Sequence, residues 1–146
     1  MGTNFPKIMK EFCCIDANDI IENDNFHDSL FKSTKRGVKP LLEVIDNNLD
    51  YKNGIAVDKV VGKAAALLYV IIGIKTLHAD IISQYALDVL NKNNIETTYN
   101  NLVPSILNRK KDGYCPMEST CKDIDDPDIA IISIKNKLKE LEKGSV

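Results

Sequence analysis

The stretch Ala56-Val-Asp-Lys-Val-Val-Gly-Lys-Ala-Ala-Ala-Leu-Leu-Tyr-Val-Ile-Ile-Gly73 constrains the fold more than any other part of the sequence. Val61, Ala64, Ala65, Leu68 and Ile72 recur at three-to-four spacing, the stripe of a helix that faces a core. Asp58 stands where it can cap that helix, because its carboxylate accepts a hydrogen bond from an orphan backbone N–H. Gly62, Ala64, Ala65 and Ala66 line the first turns. Side chains this small let a helix lie close to its neighbours. Gly62 costs about 1 kcal/mol of helix propensity relative to alanine, so close packing or ligand approach is expected there. Gly73 ends the helix. The apolar run Ala64 to Ile74 is too short to span a bilayer as a helix and reads as buried.

The segments after it set the fold class. Lys75 to Asp80, KTLHAD, reads as a strand, with Ile81 and Ile82 as an extension. Ser83 is a good cap for a helix over Gln84 to Lys92. Ile95 to Asn100, IETTYN, alternates and favours β. Helix, strand, helix, strand in that order predicts an α/β sheet with helices on its faces. Upstream, Glu11 to Ile15 and Ser29 to Ser33 read as strand pieces of an irregular hairpin. Pro40 suits the first turn of a short helix from Lys39 to about Asn48. Downstream, Pro104 breaks any continuous element. Asp126 then Pro127 reads as cap and first residue of a last helix, with the stripe Ile131, Ile134, Leu138 and Leu141.

The chain has 146 residues, enough for one domain. Residues 1–10 read as a tail and 11–146 as a single domain. Apolar residues make up 44% and charged residues 27%, the balance of a soluble globular protein. A formal net charge of -2 gives no general electrostatic case for nucleic acid or an anionic membrane. Two basic clusters stand out: Lys32, Lys35, Arg36 and Lys39, then Arg109, Lys110 and Lys111. The plain reading of each is a solvated face; the functional one is a small phosphate-bearing ligand. The first residues, MGTNFPKIMKEF, lack the apolar core of a signal peptide, so the cytoplasm is expected, with Cys13, Cys14, Cys115 and Cys121 reduced.

Specific chemistry is sparse. Cys115 and Cys121 are six apart, not at a zinc-ligand spacing, and His27 and His78 are isolated. A cross-chain site from Cys14, His78 and Cys115 is the remaining zinc option. Cys115 precedes Pro116, so it can cap a helical turn, which would favour a thiolate; the plain reading is a packed turn cysteine. Gly62 to Ala66 resembles the end of a phosphate-binding loop but lacks the upstream glycines. Lys59 and Lys63, four apart, share a helix face, and with Asp58, Asn108 and Arg109 would form a polar pocket. Asp58 or Glu118 with Lys63 suits acid–base work.

The words GVKPLL, DKVVGKAAALLYV, ADIISQYAL, VPSILNR and GYCPME occur in this order between residues 37 and 118. Together they resemble a small family of uncharacterised bacterial proteins placed in the cytidine-deaminase-like superfamily. The resemblance implies a three-layer α/β/α domain with a mixed sheet. It also implies that helices starting near Asp58 and Ser83 present their N-termini to one pocket. True deaminases hold zinc there, through a His or Cys followed by x-Glu and a Pro-Cys-x-x-Cys. This chain has AVDKVVGK and DIISQYA instead. Ser83 and Ala86 have the right separation, but alanine cannot bind metal.

The expectation is therefore a zinc-independent, deaminase-like domain binding a small, anionic, phosphorylated or nucleotide-like metabolite. Lys59, Lys63, Ser83, Asn108 and Arg109 would bind it. Cys115, Glu118 and Asp58 are the candidates for catalysis, and no metal or cofactor is expected. The rivals are a cysteine-dependent enzyme using Cys115 and a non-catalytic protein that forms homodimers through its Ala-rich helix.

Overall fold

Two short strands, β1 (Phe12–Ile15) and β2 (Phe31–Ser33), pair antiparallel at the start of the described chain. The computed structural model describes residues 12–15, 31–33, 38–107, 113 and 115–144. The expected tail, residues 1–10, lies outside them, as do His27, Asn108 and Arg109. Helix α1 (Lys39–Asp46) follows, with Pro40 in its first turn.

Strand β3 (Ile55–Val61) occupies ground where the sequence predicted the start of a helix. The reason is local and tertiary at once. Ile55, Val57, Val60 and Val61 are β-branched, and their stiff χ1 fits a pleated strand better than a helix turn. The strand also finds a parallel partner in β4 (Thr76–Ser83), from Ile55 opposite Thr76 to Val61 opposite Ile82. Gly62 alone, with extended backbone, links β3 to helix α2 (Lys63–Ile72). Asp58 therefore lies inside a strand and does not cap the helix, and Lys59 and Lys63 do not share a helix face.

β4 runs straight into helix α3 (Gln84–Lys92). Ser83 is the cap: its Oγ accepts from the Ala86 N–H at 3.1 Å. Strand β5 (Glu96–Val103) then pairs parallel with β4. Helices α4 (Pro116–Cys121) and α5 (Pro127–Gly144) complete the described chain. The strand order is β2-β1-β3-β4-β5. The resemblance implied a mixed sheet; the three long strands β3, β4 and β5 pair parallel with one another. Antiparallel pairing is confined to the short β1, against β2 and β3.

Helix α2 is the centre of the core. It packs on α1, α3, α4 and α5, and Lys63 through Tyr69 are all buried. Burying Leu67 and Leu68 contributes on the order of 1.5–3 kcal/mol each. The small residues serve this close packing inside the chain. Ala64, Ala65 and Ala66, the small side chains expected at a dimer interface, are covered within the chain itself. Gly73 ends α2 with φ 83°, its N–H bonded to the Tyr69 carbonyl at 2.9 Å. That left-handed conformation is open to glycine at no steric cost.

Candidate functional site

The N-termini of α2 and α3 meet at one side chain, Glu118 of α4. Its residue is 3% exposed. Glu118 Oε1 accepts from the Lys63 backbone N–H at 2.9 Å and from the Ser83 hydroxyl at 2.6 Å. Oε2 accepts from the Ser105 hydroxyl at 3.1 Å and from the Ile106 backbone N–H. Four donors thus surround one carboxylate. A buried charge is tolerated only when paired and hydrogen-bonded, and charge-assisted bonds are the stronger kind. The positive ends of two helix dipoles add to them.

Local sequence explains how each donor arrives. Gly62 brings β3 and α2 together with no intervening side chain; a Cβ there would come within 3.3 Å of Glu118 Oε1 and of Ile106 Cγ1. Lys63 is the first helical residue, so its N–H has no intrahelical acceptor. Ser83 uses one hydroxyl twice, accepting from Ala86 and donating to Glu118. Ser105 and Ile106 follow Pro104, which stops β5. The Ile106 carbonyl accepts from the Cys115 N–H at 2.9 Å, tying this turn to the start of α4.

Lys63 has a second role. Its ammonium donates to the Lys122 carbonyl at 2.8 Å and to Asp125 Oδ1 at 2.9 Å. It thereby caps the C-terminal end of α4, where cations are favoured. The hydrogen bond and charge of Lys63 hold the Asp125 carboxyl below its usual value of 3.8. Glu118 near the start of α4 and Lys122 just past its end are thus both bonded to Lys63.

The other predicted residues are placed as follows. Asp58 Oδ2 accepts from the buried Tyr69 hydroxyl at 2.7 Å, fixing β3 to α2. Lys59 is exposed on β3. Cys115 is the N-cap residue of α4, half-buried, and its side chain makes no capping bond. Cys121 is fully buried, and burial pushes its thiol up to about 11. Asn108 and Arg109 lie outside the described residues, so Lys63, Ser83 and Glu118 are the predicted residues seen to share hydrogen bonds. Ser105, Ile106, Lys122 and Asp125 were missed. Nothing in a serine after a proline, or in an acid between turns, marks it as a partner of a residue far away in sequence.

Among the described residues, no group of three His, Cys, Asp or Glu side chains is arranged to hold a metal ion. His78 pairs instead with Thr98 Oγ1 at 2.7 Å across β4 and β5. A separate cleft of about 270 Å³ lies at the other end of α2, lined by Asn53, Gly73, Lys75, Asn93 and Asn94 among others. It includes none of the predicted residues.

The family model described as "TM1506: Domain of unknown function (DUF1893)" matches residues 15–138. The chain belongs to the DUF1893 family. A crystal structure of a DUF1893 family protein (TM1506) from Thermotoga maritima matches this DUF1893 domain with a TM-score of 0.74 at 26% identity. It covers 87% of this chain and 80% of that one. The comparison with curated proteins gave no match. The Glu118 junction lies wholly within the part matched to the family, since its outermost partners are Lys63 and Glu118 itself.

Proposed function

We propose that this DUF1893 domain is a zinc-independent, deaminase-like domain that binds a small anionic metabolite, phosphorylated or nucleotide-like, in the cytoplasm. One observation supports it above others: the first N–H of α2 and the capping hydroxyl of α3 converge on a single negative group. Converging helix N-termini favour anions. In a deaminase these positions would carry zinc ligands. Here the same stretches offer Gly62, Lys63, Ser83 and Ala86, which do not fit a metal. Activated-water deamination therefore has no support in the donor set, and no reaction is assigned. The membrane plays no part in this reading; no described helix is long and apolar enough to cross one.

The test is titration calorimetry of the full chain against nucleosides, nucleoside monophosphates and sugar phosphates. Saturable binding of a phosphorylated compound, and not of its dephosphorylated partner, is expected. Failure of all of them to bind would reject the reading.

A second reading, a non-catalytic homo-oligomer, is favoured by β5. This strand stands at the end of the described sheet order and is mostly exposed. Thr97 to Val103 carries no charge and no proline, the usual devices that blunt an edge strand. Sedimentation would decide it: a dimer abolished by Thr98→Lys supports this reading, and a monomer at all concentrations rejects it.

A further inference from the structure

We infer that β5 is the two-fold interface of a homodimer, in which β5 of one copy pairs antiparallel with β5 of a second around Asn100 and the two sheets become one. The inference rests on the homo-oligomer reading of β5. It goes further, because it names the occupant of the edge, the direction of pairing and the register.

β5 pairs with β4 along one side, and among the described residues no strand pairs with its other side. Two cross-strand rows run off that side. The first is Val61, Ile82 and Leu102. Val61 and Ile82 are fully buried, whereas Leu102 is 42% exposed. The second is Asp58, Ala79 and Tyr99. Ala79 is fully buried, and Tyr99 is 40% exposed. Each row therefore ends at a large, half-covered apolar side chain, where a next strand would complete it. An open edge of this kind is a template for another strand, and the composition of β5 selects a second copy. Thr97 to Val103 carries no charge, so two copies can lie side by side with no like charges opposed. The ends fix the direction and the register. Parallel pairing would bring the two Glu96 side chains alongside each other, which is unfavourable. Antiparallel pairing about Asn100 sets Glu96 of one copy opposite Pro104 of the other, outside the ladder, and pairs every residue from Thr97 to Val103. Thr98 then faces Leu102, Tyr99 faces Asn101, and Asn100 faces its own counterpart. A slip by two residues draws in either Glu96, whose charge would lie against Leu102, or Pro104, which has no N–H to donate. A slip by one turns every side chain to the wrong face. The contact is isologous and closes at two copies. Its axis stands perpendicular to the sheet, so α3, which packs on β4 and β5, comes alongside its counterpart and widens the contact beyond the strands.

Sedimentation of the full chain over a concentration series reads the dimer, and cross-linking reads the register. Wild type should show a monomer–dimer equilibrium. Thr98→Lys should raise the dissociation constant at least about tenfold. Ile132→Lys, on the exposed face of α5, should leave it unchanged. Both side chains are exposed, and circular dichroism checks that each variant folds. Should Thr98→Lys not fold, Asn101→Lys takes its place. A short bis-maleimide should join Asn100→Cys to itself across two copies, located by peptide mass spectrometry. It should not join Glu96→Cys to itself, because those two positions would lie about 26 Å apart along the paired strands. A monomer at all concentrations overturns the inference and the homo-oligomer reading together, and leaves the edge to an extended segment of a different protein. A dimer that the lysine on β5 leaves intact, or in which position 100 does not join, overturns the inference alone; the homo-oligomer then stands on another surface. A dimer joined at position 100 that also converts a metabolite keeps the interface and ends only the non-catalytic part of that reading.

Discussion

Ser83 donates to Glu118 Oε1 at 2.6 Å while accepting from the Ala86 N–H at 3.1 Å. One hydroxyl therefore both starts α3 and neutralises part of a buried acid. Ser83→Ala removes a cap, which costs roughly 1 kcal/mol, and leaves the buried carboxylate one donor short, which costs about 1–3 kcal/mol more. Urea unfolding should show a loss of about 2–4 kcal/mol at neutral pH. A loss below about 0.5 kcal/mol would mean that water takes over the hydroxyl's role at no cost.

Gly62→Ala tests the close approach. Backbone strain is not the issue, because Gly62 is extended. The new Cβ would sit 3.3 Å from both Glu118 Oε1 and Ile106 Cγ1, so both must yield slightly. Alanine is also a poorer N-cap residue than glycine. Together these predict a destabilisation of roughly 1 kcal/mol, measured by the urea midpoint. An unchanged midpoint would show that the junction has slack.

The Lys63–Asp125 pair makes a prediction in pH. Lys63 depresses the Asp125 carboxyl below 3.8, first through the hydrogen bond and then through charge. A depressed acid contributes stability above its unfolded value and loses it as pH falls through the folded one. The contribution thus disappears in the acid range below 3.8 and is intact at neutral pH. In Lys63→Met, a carboxyl titration followed by NMR should move the Asp125 midpoint up towards 3.8. No movement would show that the ion pair does not persist in solution.

The thiols should separate by burial. Cys121 is fully buried with its thiol raised to about 11, whereas Cys115 is half-buried. The thiolate is the reactive form. With Cys13 and Cys14 replaced by serine, a maleimide at pH 8 should label Cys115 in the native protein and Cys121 only on unfolding. Peptide mass spectrometry reads the difference, and equal rates would refute it. The sign for stability is the reverse of Asp125: burial of a neutral thiol helps fully below 9.0 and is lost as pH rises towards about 11.

Local signals were legible where they were chemical. Ser83 as a cap, Pro40 and Pro127 at helix starts and Gly73 at a helix end were all read from residue type, and the structure has them there. Asp126 likewise accepts from the Asp128 N–H at 2.9 Å. The start of α2 was misread because Val61 fits the helical stripe as well as it fits a strand. Only pairing with β4, set by residues some twenty positions on, decides between them. Glu118 was singled out beside Cys115, but its burial was not legible. Four donors from residues 63, 83, 105 and 106 converge only in the folded chain.

The junctions at Gly62 and Ser83 also bear on how such a domain can diversify. One residue joins β3 to α2, and none separates β4 from α3, since Ser83 ends the strand and caps the helix. Neither junction has slack in which an inserted residue could be absorbed: an added residue would displace a donor from Glu118 and push a buried helix along its axis. Loops elsewhere tolerate such length changes. Change at this end of the sheet must therefore come by exchange of side chains, with positions 61 to 63 and 82 to 84 held at fixed length.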